Sequence, residues 1–182
     1  MKETININRR VIERCLKGDI KAQFHLYKQY SKAMYNIAIR FLNNKMDAED
    51  ILQESFITAF NRLGELKNPD VFGSWLKKIV INKCIGLQRK RKIDFEEIDE
   101  YRHGEDPDPG EEREEVDPSV VHEAIRHLPP KGRAVLVLRA LEGYSHKEIA
   151  EVLHISVSTS KTQYSRSLSL LNKQLKDKVY VN

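Results

Sequence analysis

Apolar residues recur along this chain at intervals of three and four, and no stretch alternates with the period of two that a strand requires. The spacing predicts a first helix from about Asn8 to Lys17, closed by Gly18 as the residue after its end. Asp19 then caps a long second helix, with Phe24, Tyr27, Tyr35, Ile39 and Leu42 among its apolar positions. A third helix is expected to start at Asp47, which can accept from the Asp50 amide, with Met46 stapled to Ile51. Ile51, Phe56, Ala59, Phe60 and Leu63 supply its buried face. Asn68-Pro69 breaks the chain, and a fourth helix is expected from about Asp70 to Lys92, with Trp75, Leu76, Ile79 and Val80 turned inward.

A second apolar set begins near residue 120. Leu128-Pro129-Pro130 ends one helix, and Pro130 suits the first position of the next, which carries Ala134, Val135, Leu138 and Leu141 and stops at Gly143. Ser145 and Glu148 have capping-box spacing, flanked by Tyr144 and Ile149 as a staple. The short helix they open carries Ile149, Ala150 and Leu153. A tight turn at His154-Ile155 leads to a new cap, Ser156, and a helix with Val157, Tyr164, Leu168, Leu171 and Leu175. Two short helices joined in this way predict a helix-turn-helix, whose second helix presents its first turns to the major groove.

Charge divides the chain further. The formal total is +4, but residues 1–93 hold 19 Lys/Arg against 9 Asp/Glu, residues 94–117 hold 2 against 13, and residues 118–182 hold 10 against 5. The segments therefore carry +10, −11 and +5. The middle segment contains Pro107, Pro109 and Gly110 and few apolar residues, too few to offset the entropy of ordering it. It reads as a flexible linker, a solvated tether, with a nucleic-acid mimic as the alternative. Its 24 residues would form a coil of roughly 27 Å and stretch to about 80 Å. The fold class expected is all-α: two small helical domains, 1–93 and 118–182, joined by the acidic linker 94–117, with the helix-turn-helix in the second.

Composition excludes several classes. The longest apolar run, Ala134 to Leu138, is far below the ~20 residues that span a bilayer. Met1 to Arg14 is charged throughout, without the apolar core of a secretory leader. Cys15 and Cys84 form no CxxC and read as small buried apolar groups of a reduced chain. His122 and His127 stand five apart, not the four that would put both on one helix face for zinc. Phosphate loops, a nucleophile elbow and an EF-hand order are absent from the sequence, and no catalytic constellation or cofactor motif is found.

Three groups of residues point to chemistry. Asp47, Glu49 and Asp50 suit a helix N-terminus through its dipole, but Gln53 and Glu54 lie past the first turn and are not explained that way. Lys77, Lys78, Lys83, Arg89, Lys90, Arg91 and Lys92 load the fourth helix with cations that repel one another, a strain that a bound polyanion would relieve. In the last helix, Ser158, Thr159, Lys161, Thr162, Gln163, Ser165 and Arg166 could meet base edges and phosphates, since Lys and Arg read guanine and Gln reads adenine. A helical hairpin with a polar face is the competing reading of that segment.

Taken together these stretches resemble a bacterial RNA polymerase sigma factor of the extracytoplasmic-function type, in the sigma-70 family. The resemblance covers roughly residues 8–93 and 120–176. It lies in Asp47-Ala-Glu-Asp-Ile-Leu-Gln-Glu-Ser-Phe56, Phe72-Gly-Ser-Trp-Leu76, Ile79-Val-Ile-Asn82, Leu128-Pro-Pro130, Leu138-Arg-Ala-Leu-Glu-Gly-Tyr-Ser145, Glu148-Ile-Ala150 and Ile155-Ser-Val-Ser-Thr-Ser-Lys161. It implies a cytoplasmic protein that binds core RNA polymerase and directs promoter recognition and DNA melting, with no enzyme activity, cofactor, metal or membrane insertion of its own.

The resemblance also implies roles for residues. Asp50, Gln53 and Glu54 would dock on the polymerase clamp helices, with the flap region as a second contact. Lys67, Asn68 and Asp70 would hold a flipped-out base of the −10 element, at a flipping cost on the order of a few kcal/mol. Trp75, Lys78 and Asn82 would complete the −10 surface. Lys161, Gln163 and Arg166 would read the −35 element, with Arg139 and Thr159 as phosphate or positioning contacts and Ser158 and Thr162 on the same DNA-binding surface. An anti-sigma factor is a further partner that the family implies. The linker's reach suits elements about two DNA turns apart, ~70 Å.

Three positions depart from the family pattern. Ser160 stands where an apolar residue is usual. Gln163 and Ser165 replace residues that are often basic or bulky, which predicts weaker autonomous −35 binding. Gly86 stands where some relatives carry a polar side chain. The alternative function is a helix-turn-helix transcriptional regulator that is not a sigma factor, against which the basic fourth helix and Gln53-Glu54 both speak.

Overall fold

The computed structural model describes residues 2–91 and 117–179, with side chains at 9–91, 117 and 119–176. The acidic segment, Asp117 excepted, lies outside the described residues, as does Lys92. The chain divides into two compact units, Met1–Leu87 and Gln88–Asn182. Every regular element among the described residues is helical.

In the first unit α1 spans Lys2–Leu16, longer at its start than the sequence predicts. It ends as the glycine foretells: Gly18 takes φ +81°, its N–H donates to Cys15 O and the Asp19 N–H donates to Arg14 O. This pair of bonds closes a helix in the Schellman manner. Asp19 then caps α2 (Ile20–Leu42), accepting from the amides of Lys21 and Ala22 at 2.9 and 3.2 Å. Arg14 binds the same carboxylate at 2.7 Å and, with those amides, holds it below the usual carboxylate range.

The buried face of α2 is rotated from the expected one. Leu26, Met34, Ile37, Ala38 and Phe41 join Leu42 in the core, whereas Tyr27, Tyr35 and Ile39 sit at its border and Phe24 lies outside. Lys28 stands 5.4 Å from the Phe24 ring centre, a cation against an exposed π face.

α3 spans Lys45–Asn61 and begins two residues before Asp47. Its cap is Asn44, whose side chain accepts from the Asp47 amide at 3.2 Å, while Met46 is 74% exposed and staples nothing. The preceding Asn43 at φ 54° makes the reversal after α2 tight enough for Asn44 to reach that role. A 3₁₀ turn at Pro69–Val71, capped by Asn68 onto the Asp70 amide at 3.0 Å, precedes α4 (Phe72–Lys90). Proline fixes that turn and moves the α-helical start to Phe72. Phe72, Leu76, Val80, Ile81, Cys84 and Ile85 form the inward face of α4, and Trp75 and Ile79 are half-buried. A Cβ on Gly73 would lie 2.9 Å from the Tyr30 ring, which itself packs edge-on to Phe72 at 5.2 Å. The Tyr30 ring thus occupies the space that a side chain at residue 73 would fill.

The second unit is built around its last helix. Asp117 caps α5 (Pro118–Arg126) through the Ser119 amide at 2.8 Å. α6 (Pro130–Leu136) runs into a π turn at Val137–Leu141, marked by the Glu142 amide donating to Val137 O, and Gly143 at φ +78° ends it. Arg133 is buried, and its guanidinium donates to Arg126 O and Leu128 O at 3.1 and 3.0 Å. It thus satisfies carbonyls left open around the end of α5.

α7 (His146–Leu153) and α8 (Val157–Val179) follow. α8 packs against α5, α6 and α7. A Cβ on Gly132 would fall 2.2 Å from Ser167 Oγ, so α6 and α8 meet almost backbone to backbone. Both cysteines are free and buried; burial pushes the Cys15 thiol up to about 11 and the Cys84 thiol up to about 12. Neither is ionised at neutral pH, which makes them packing groups rather than nucleophiles.

Candidate nucleic-acid and partner interfaces

Three surfaces collect the residues singled out by the sequence. The first is the outer face of α3. Ala48, Ile51, Leu52, Ser55, Phe56 and Ala59 are buried, so helical geometry turns Glu49, Asp50, Gln53 and Glu54 outward together. Met46 and Ile57, 74% and 60% exposed, lie on the same stripe and were not anticipated. The stripe is acidic with an apolar residue near each end, a composition suited to a partner with basic and apolar groups. Glu54 is also bound from α4, by Lys83 Nζ at 3.2 Å. Twenty-nine residues separate the two, so no local spacing could have revealed the pair.

The second surface runs from the loop before α4 along that helix. Lys67, Asn68 and Asp70 are all exposed, and the cap from Asn68 to the Asp70 amide fixes the loop. Trp75, Lys78, Asn82 and Gly86 fall at helical spacing on one face. Lys78 and Asn82 are exposed, and Trp75 is half-buried with its ring 6.1 Å from Phe72. A Cβ on Gly86 would meet nothing within 4 Å, so this face is open there. Arg89 and Lys90 carry the positive charge to the end of α4, and Arg91 follows it.

The third surface is the start of α8. The capping box of α7 is complete: Ser145 Oγ accepts from the Glu148 amide at 3.2 Å, and Glu148 Oε2 accepts from the Ser145 amide at 2.8 Å. His154 takes the left-handed conformation at φ 56°, and Ser156 caps α8 by accepting from the Thr159 amide at 2.9 Å. Ser156 Oγ also lies 2.7 and 2.8 Å from the hydroxyls of Ser158 and Thr159. Ser158 and Lys161 face out, with Thr162, Ser165, Arg166 and Thr159 half-exposed around them. Arg139, on the π turn, is exposed and donates to Tyr144 O at 3.3 Å, just before the capping box.

Gln163 is placed apart from this group. It is 8% exposed and belongs to the inward side of α8 with Ser160 and Ser167, so in this fold it supports the helix from within. The inward side is far more polar than the pattern of Val157, Tyr164, Leu168, Leu171 and Leu175 suggests: Val157 is 42% exposed, while Ser160 is fully buried.

The second unit thus holds a helical pair with a fully capped turn, and the first carries an acidic stripe and a basic helix. Comparison identifies the class. Residues 26–93 match sigma-70 region 2, and residues 119–171 match sigma-70 region 4. The chain is 32% identical over 179 residues to the ECF RNA polymerase sigma factor SigW of Bacillus subtilis, across 91% of this chain and 95% of that protein. It is 29% identical over 181 residues to the RNA polymerase sigma-H factor of Pseudomonas aeruginosa, across 92% and 93%.

Two solved structures share the fold. The sigma factor RpoE in complex with the anti-sigma factor NepR from Bartonella quintana gives a TM-score of 0.55 at 21% identity, covering 86% of this chain and 98% of that one. CnrH in complex with the cytosolic domain of CnrY gives 0.54 at 24%, covering 93% and 97%. The chain belongs to the extracytoplasmic-function sigma factors of the sigma-70 family. Promoter recognition with RNA polymerase is accordingly its function, and a stand-alone helix-turn-helix regulator is not favoured. No helix among the described residues is long and apolar enough to cross a membrane.

Proposed function

We propose the following division of work within the sigma factor. Residues 1–93 dock on core polymerase and open the −10 element, residues 118–182 read the −35 element, and residues 94–117 link them. The outer face of α3 is the docking surface, with Asp50, Gln53 and Glu54 meeting cations of the polymerase clamp. Lys67, Asn68 and Asp70 receive an unpaired base, and Trp75, Lys78 and Asn82 follow the displaced strand. Ser158, Thr159, Lys161, Thr162 and Arg166 face the −35 groove, with Arg139 on phosphate. Catalysis is left to the polymerase, the protein works in the cytoplasm, and family membership carries an anti-sigma factor into the proposal as regulator.

The observation that supports this most is the α3 stripe. Its residues have no role in the core of their own unit, being turned outward side by side. A DNA-binding regulator has no use for an acidic face beside its basic helix, because like charge repels phosphate. Transcription in vitro with purified core polymerase and a promoter library tests the scheme, and promoter-specific transcripts are expected. Glu54→Lys is expected to weaken core binding at least tenfold while the free chain keeps its DNA affinity. Equal core affinity of the variant in a pull-down would remove α3 as the docking face.

A further inference from the structure

His146 opens α7, and Ser160 sits one turn into α8. Their side chains meet: His146 Nδ1 lies 2.9 Å from Ser160 Oγ. The His146 ring also stands edge-on to Tyr164 of α8, at 5.6 Å and 70°. Ser160 is fully buried. The His146 nitrogen gives that hydroxyl a directional partner between the two helices, and a buried hydroxyl that loses its partner is costly.

Charged and titratable groups reach this ring from the π turn, from α8 and from its own helix. Arg139 on the π turn and Lys161 on α8 both act on it, Tyr164 packs against it, and Glu148 lies two residues on in its own helix. Burial first, then Arg139 and Lys161, push the imidazole below its ordinary value, so it is uncharged at neutral pH. In that form Nδ1 either donates to the hydroxyl or accepts from it.

We propose that His146 and Ser160 form a positioning pair that sets the pose of α8 on α7 and thereby the −35 sequence preference. The pair rests on the assignment of α8 as the reading helix. Apolar contact at this position would tolerate small rotations of α8 about its axis. A single hydrogen bond between two helix N-terminal turns selects one rotation. The groups carried on that turn, Ser158, Lys161 and Thr162, are the ones whose direction the rotation sets. His146 and Ser160 touch no base themselves in this scheme; they act through those three.

The test uses the full chain assembled with core polymerase, on promoters with a constant −10 element and randomised −35 element. Ser160→Ala and His146→Ala are each expected to reduce discrimination between preferred and random −35 sequences about fivefold, the worth of one ordinary hydrogen bond. The double variant should lose no more than either single one. His146→Asn places an amide atom where Nδ1 stands and is expected to restore the preference. His146→Gln, whose amide matches the other ring nitrogen, is not. Thermal unfolding and core affinity are followed in parallel. Loss of discrimination in His146→Asn equal to that in His146→Ala, or losses that merely track unfolding temperature, would overturn the pair. Unchanged discrimination in Ser160→Ala would do the same. A wild-type holoenzyme indifferent to the −35 sequence would overturn the reading helix as well, which separates the two failures.

Discussion

At the scale of single residues, a neutral imidazole held between two helices ties the second unit to pH. The folded environment lowers the affinity of His146 for a proton, through burial and through Arg139 and Lys161. The unfolded chain therefore takes up that proton first as pH falls, and folding loses stability wherever the unfolded state binds more protons. The stabilising contribution is complete above the ordinary imidazole value of about 6.5 and declines as pH drops through it toward the lower folded value. Hydrogen exchange of α7 and α8 amides in the full chain is expected to speed up between pH 7.5 and 5 beyond the intrinsic pH effect. His146→Asn should flatten that extra dependence. The same dependence in the variant would assign it to another group. Asp19 and Asp117 act in the opposite sense to a raised group but over a lower range: hydrogen bonds lower both carboxyls, so their contributions persist until acid titrates them.

At the scale of elements, caps do much of the specifying. Ser145 and Glu148 satisfy each other's backbone donors at the start of α7, a helix of 8 residues that would be marginal alone. Ser145→Ala is expected to destabilise the second unit by about 1 kcal/mol, read as earlier exchange of the α7 amides, with α3 unaffected. Protection equal to wild type would show that tertiary packing alone holds the helix. Such caps were legible in the sequence because their chemistry is local: Gly18, Asp19, Ser145 with Glu148, and Ser156 all act within a few residues of themselves. The cap of α3 was misplaced by one turn's logic, since Asn44 and Asp47 are both good caps and only the reversal at Asn43 decides between them. The phase of α2 was misread because its aromatic residues border the core instead of filling it. The inward side of α8 was hidden for a different reason. Gln163 reads as outward by polarity, and Ser160 and Ser167 carry no apolar signal, but Ser167 donates back to Gln163 O at 2.7 Å and Ser160 meets His146, so burial leaves these hydroxyls satisfied. Close approach at Gly132 then makes small side chains the ones that fit. Outward-facing site residues such as Asp50, Lys78 and Lys161 were readable from periodicity, whereas the Lys83–Glu54 pair depends on how α3 and α4 pack.

At the scale of the whole molecule, the charge partition sets how the chain meets DNA when polymerase is absent. Two blocks of +10 and +5 flank one of −11, and a phosphate backbone approaching either basic block is expected to meet the field of the acidic one as well. That field is short-ranged, with a Debye length of about 10 Å at 0.1 M salt and roughly 30 Å at 0.01 M. Replacing all thirteen Asp and Glu of residues 94–117 by Asn and Gln keeps the length and raises the formal charge from +4 to +17. The free chain should then bind random duplex at least tenfold more tightly at low salt. The gap should close as salt rises, because each added phosphate contact steepens the fall of log affinity with log salt. Promoter-specific transcription should gain less than random binding does, since the proposed polymerase docking uses the α3 face and none of these residues. Fluorescence anisotropy across a salt series reads both the shift and the slope. Identical affinity and slope for the two proteins would mean that the acidic block exerts no field on the basic ones, and the near-neutral total would then be arithmetic without physical effect.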